Sequence, residues 1–129
     1  MRTTMAFLLL AVLGGCGSKK DEGIPRPADP SDPSFAAHVK PILEKYCARC
    51  HKGYAAKAGY DVSTHAGVLK SGRGVEMLAR GEPAKSHLVG VMEGAAGKKK
   101  MPPPRESLQP TADEIAVLKS WIAAGAKDN

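Results

Sequence analysis

Two thiols and an imidazole stand together at Cys47-Ala48-Arg49-Cys50-His51. The cysteines are three residues apart and the histidine follows the first by four, so one helical turn directs all three toward the same side. Such a face suits a porphyrin: the thiols add across two vinyl groups as thioethers, and the adjacent imidazole takes the iron. Cys47 and Cys50 are therefore expected to carry one covalent haem c, with His51 as proximal iron ligand. A thioredoxin-like dithiol would instead sit at the strand-to-helix junction of a βαβ unit, and no strand of useful length is legible here. A structural zinc site would need two further ligands at regular spacing, whereas His38, His65 and His87 stand singly in unrelated segments.

The iron's sixth position needs a second donor. Met101, in Lys100-Met101-Pro102-Pro103-Pro104, is the best placed, because the prolines fix an extended loop that can hold a thioether against the metal. Met77 and Met92 are rivals, but both lie in helical patterns where a methionine is more often core filler. A bis-histidine pair using His65 or His87 is a further alternative, with a lower reduction potential than His/Met ligation.

The elements that must position these groups read as helices. Phe35, Val39, Ile42, Leu43 and Tyr46 share one helical face, with Asp32 or Ser34 as candidate cap. Pro41 either kinks this helix or marks its first turn, and the helix delivers the chain to Cys47. The middle of the chain is rich in Gly, Ala and Lys and offers only short helical candidates, at 64–69 and 86–92. Near the end, Thr111 and Glu114 form a capping box before the stripe Ile115, Leu118, Trp121 and Ile122, which predicts a helix over 112–124 stopped at Gly125.

The N-terminus has signal-peptide layout: Arg2, an apolar run over 5–13, then Gly14 and Gly15 before Cys16. That run is too short to span a bilayer, which takes about 20 apolar residues. Leu13-Gly14-Gly15-Cys16 resembles a bacterial lipobox, so residues 1–15 are expected to be removed and Cys16 lipidated. Residues 16–33, with prolines at 25, 27, 30 and 33, read as a flexible tether, and the domain is expected over 34–129. Two or more acyl chains anchor a protein stably without a transmembrane helix. The expected location is the periplasmic side of a bacterial membrane. Loss of Arg2 lowers the formal charge from +6 to 18 − 13 = +5, a basic balance that favours acidic redox partners. No aromatic-basic stripe suggests nucleic acid.

Beyond the haem motif, a series of short patterns accompanies it: Val39-Lys40-Pro41-Ile42-Leu43, Asp61-Val62-Ser63-Thr64, Gly72-Arg73-Gly74, Gly81-Glu82-Pro83 with Ser86-His87-Leu88, Met101-Pro102-Pro103, and Trp121-Ile122 before Gly125-Ala126. With these, residues 35–126 resemble the small cytochrome c domains of exported bacterial proteins, especially the planctomycete-type group. The resemblance implies an all-α, class I cytochrome c fold of three to four helices with long loops around one covalent haem. In it the first and last helices cross over one haem edge and a methionine loop closes the other side, giving Met101 the distal role. Arg73 and Arg80 are left unassigned as contacts to the haem carboxylates. The expected function is outer-sphere electron transfer, without enzymatic catalysis or a small-molecule substrate. The alternative is a ligand-binding or sensing haem domain with a labile sixth ligand.

Overall fold

The computed structural model describes residues 23, 24, 26, 27, 29–70, 72 and 74–129. The proposed signal sequence, Cys16 and Arg73 lie outside them. Among the described residues the regular elements are all helical, as the sequence predicts. Helix α1 spans Lys40–Tyr46, α2 His65–Leu69, α3 His87–Glu93 and α4 Ala112–Ala123. None of them is long and apolar enough to cross a membrane.

The chain enters α1 through a π-helical stretch, Phe35–Val39. Ser34 caps it, its hydroxyl accepting from Ala37 N–H at 3.3 Å, while Asp32 instead pairs with Lys127 at 3.0 Å. Pro41 falls in the first turn of α1, where its missing N–H leaves no helical hydrogen bond unmade. The wider π turn before it absorbs the register change, so the apolar stripe runs through Pro41 without interruption. Pro33 is fully buried and Ile24 packs on the core, so the end of the proline-rich stretch contributes to the fold that the sequence reading starts at Ser34.

Phe35, Val39, Ile42 and Leu43 share one buried cluster with Leu118, Trp121 and Ile122 of α4, which lies against the π-helical stretch. Each large apolar side chain buried in this way contributes about 1.5–3 kcal/mol. Trp121 has no exposed surface, lies 5.5 Å from Phe35 between ring centroids, and donates its indole N–H to Lys127 O at 2.9 Å. Helix α4 ends in a Schellman arrangement, with Gly125 N–H on Ile122 O at 3.0 Å and Ala126 N–H on Trp121 O at 2.9 Å.

The capping box at the start of α4 also fastens it to α1. Thr111 N–H donates to Glu114 Oε2 at 2.8 Å, Glu114 N–H donates to Thr111 Oγ1 at 3.2 Å, and the Tyr46 hydroxyl reaches the same carboxylate at 2.8 Å. Burial raises the Glu114 pKa, but the hydrogen bonds from Thr111 and Tyr46 outweigh it, leaving the group below the usual glutamate value. A carboxyl held low in the folded state adds stability above its unfolded pKa of about 4.3, and that stability is lost as pH falls through the folded value. Glu114→Gln is expected to destabilise the domain by about 1–2 kcal/mol at pH 7 and to lose less stability than the parent on acidification below pH ~4. Thermal melts across pH 3–7 measure both effects, and parallel curves for the two proteins would contradict the assignment.

Candidate functional site

The cysteine motif begins where α1 stops: Cys47 is its C-cap residue. A tight turn continues from there, with Cys50 N–H and His51 N–H both donating to Cys47 O, at 3.1 and 3.0 Å. The helical spacing read from the sequence is thus realised in a turn that outlasts the helix. The following loop folds back over the motif, since Lys57 N–H donates to Cys50 O at 3.0 Å and Val62 N–H to His51 O at 2.8 Å. This brings the Lys57 carbonyl to 3.0 Å from His51 Nδ1. A carbonyl only accepts, so Nδ1 carries the proton and Nε2 keeps its lone pair, the tautomer a metal-ligating histidine needs.

Cys47 and His51 line a mostly apolar crevice of about 160 Å³ that opens to solvent. Ala58, Tyr60 and Val62 line it as well. Helix α3 supplies His87, Leu88, Val91 and Met92, an i, i+1, i+4, i+5 face, and Met77, Lys99 and Met101 close the rest. Cys50 is half-buried and free, beside the crevice rather than on its wall.

Met101 is held by its backbone, its N–H donating to Val91 O at 2.8 Å. Pro102 is buried behind it, and Gln109 Nε2 donates to Pro103 O at 3.0 Å and Glu106 O at 3.2 Å, tying the loop down. Met77 and Met92 reach the same crevice, but both are buried members of the hydrophobic core, whereas Met101 is half-buried on a loop. The histidines separate more sharply. His65 is edge-on to Phe35 and Trp121, with its Nε2 2.8 Å from Ala126 O, and takes no part in the crevice. His87 lines it.

The Cys47 thiol is pushed by burial up to about 11. Reactive dithiols work the other way, by depressing the pKa of the attacking sulfur. Among the described residues no three His, Cys, Asp or Glu side chains converge as a metal-binding group. Two thiols, an imidazole of fixed tautomer and a nearby thioether, set around an apolar crevice, form a donor set that fits a haem.

Residues 47–105 match the family model of planctomycete cytochrome C. The match supports a small c-type cytochrome domain of that group over these residues. No curated protein and no solved structure matches the chain. The matched stretch opens on Cys47 and closes on Arg105, taking in the cysteine motif and the Met101 loop while α1 and α4 lie outside it. A domain of this family implies covalently bound haem. Tyr60 is a crevice residue that the sequence reading does not name, and His87 enters that reading only as an alternative iron ligand. For His87 a signal existed: it shares a helical face with Leu88, Val91 and Met92.

Proposed function

We propose that the protein is a monohaem electron carrier in which Cys47 and Cys50 form the thioethers and His51 and Met101 are the axial iron ligands. The observation that carries this reading is the Nδ1 bond of His51 to Lys57 O, which leaves Nε2 as the ligating nitrogen on a crevice that Met101 also lines. When bound, the haem supplies a one-electron ferric/ferrous couple whose potential the axial pair tunes. His51 and Met101 keep both axial positions filled, so that no substrate needs to meet the metal. Leu88, Val91 and Met92 give the crevice an apolar lining that would favour the less charged state of the centre.

Docking falls to charge at the rim. Lys98 and Lys99 are exposed, and Lys99 lines the crevice itself, so an acidic redox partner would be steered toward the haem edge. At the other end of the chain, Leu13-Gly14-Gly15-Cys16 supports export, cleavage and lipidation of Cys16, which would place the carrier on the periplasmic face of a bacterial membrane. We assign the protein no enzymatic reaction and no nucleic-acid partner.

Intact-mass analysis of protein matured in a host with cytochrome c assembly machinery tests the first half: one haem added, surviving denaturation. Exposure of the ferrous protein to CO tests the second, with slow and incomplete binding expected at neutral pH. Rapid, complete CO binding would favour the ligand-binding alternative with an open sixth position.

A further inference from the structure

The crevice is mostly apolar. Apart from Cys47 and His51, its hydrogen-bonding side chains are Tyr60, His87 and Lys99. A haem seated here brings two carboxylates to its edge, and a carboxylate next to apolar walls is costly unless donors meet it.

His87 is held in place from two sides. Tyr60 stacks on its ring, with centroids 6.0 Å apart and planes 16° from parallel. Tyr60 itself lies close against Gly72, where any Cβ would overlap the phenol ring. On the other side the Lys98 stem crosses Gly90, so closely that a Cβ there would sit 2.6 Å from Lys98 Cδ, and the ammonium reaches His87 Nδ1 at 3.4 Å. An ammonium has donors only, so Nδ1 must supply the lone pair and the proton resides on Nε2. Burial, reinforced by the Lys98 charge, holds the His87 pKa below the ordinary histidine value and keeps the ring neutral at pH 7.

His51 and His87 thus carry opposite tautomers: Nδ1–H of the first donates to a carbonyl, while Nδ1 of the second accepts from an ammonium and leaves the proton on Nε2. The first is set up as a ligand, the second as a donor. We infer that His87, braced by Lys98 and Tyr60, donates its Nε2–H to a haem carboxylate, with Lys99 of the same crevice providing countercharge. The assignment rests on the haem reading of the crevice made above and fixes the orientation of the haem within it.

Three full-length holoproteins test it: the parent, His87→Phe, which keeps the stack on Tyr60, and His87→Gln, which keeps a donor at similar reach. Resonance Raman bands of the carboxylate side chains are expected to shift in His87→Phe and to return in His87→Gln. Loss of the donor leaves the carboxylate charge less compensated and favours ferric iron. The ferrous/ferric ratio at fixed potential should therefore fall by up to tenfold, about 59 mV for a one-electron couple. The far-red absorption of thioether-ligated ferric haem should persist in all three.

Carboxylate bands unchanged in His87→Phe would overturn the assignment. So would a bis-imidazole electron paramagnetic resonance signal in the parent that His87→Phe abolishes, because it would put the Nε2 lone pair on iron. Absence of covalent haem from the parent would instead strike the underlying reading, and this assignment with it.

Discussion

Cys47→Ala/Cys50→Ala protein, matured in a host competent for cytochrome c assembly, is expected to emerge without covalent haem. Its intact mass should equal that of the polypeptide, and its pyridine haemochrome spectrum should be blank after acid-acetone extraction. Each single substitution should leave at most one thioether, with attached haem reduced at least tenfold if both bonds are needed for efficient retention. The size of the double-variant effect follows from chemistry rather than packing. Two thioethers convert a reversible ligand into part of the chain, and no other side chain at the crevice supplies that bond. A parent protein that is itself colourless after the same maturation would remove the basis of the proposed function. A dithiol reading would then have to explain a first thiol whose pKa burial drives up to about 11, where reactive pairs are depressed.

Met101→Ala should have the next largest effect. Loss of the thioether is expected to abolish the far-red ferric absorption and to turn slow, partial CO binding into fast and complete binding. The potential should fall by on the order of 0.1 V, a modest part of the roughly 0.8 V that axial ligands span across haem proteins. Met77→Leu and Met92→Leu are the controls, because both side chains are buried in the core and a volume-conserving swap costs less than about 1.5 kcal/mol. Retention of the far-red band in Met101→Ala, with its loss in either control, would move the distal role to that methionine. The crevice admits all three sulfurs, so the outcome discriminates among real contenders. What favours Met101 is its support: a backbone bond to Val91 O, buried Pro102 and the Gln109 clamp hold it on a loop whose side chain owes nothing to the core.

Arg49 and Glu106 add a small tie between the two halves of the site. Their side chains lie 3.7 Å apart and join the cysteine motif to the Met101 loop, but Arg49 is largely exposed and such pairs are worth little. The alignment of the crevice walls rests instead on the backbone bonds at either side and on the α1–α4 core beneath them.

The sequence by itself determined what is local in the chain. Cys47, Cys50 and His51 occupy five consecutive residues, so their chemistry is written in their spacing, and the capping box at Thr111 and Glu114 announces α4 within four residues. The short helices α2 and α3 likewise follow from Thr64 and Ser86 preceding brief apolar periods. The π turn before Pro41 was not legible, because the pattern of apolar residues allows either a kink or a fresh start. Only the tertiary structure decided which solitary residues share a site. His65 and His87 look alike as isolated histidines, yet packing on Phe35 and Trp121 binds the first to the C-terminal segment while the face of α3 turns the second into the crevice. The tautomers of His51 and His87 were settled in the same way, by a carbonyl six residues away and an ammonium eleven residues away. Their approach depends on how loops fold back on one another, and no local period encodes it.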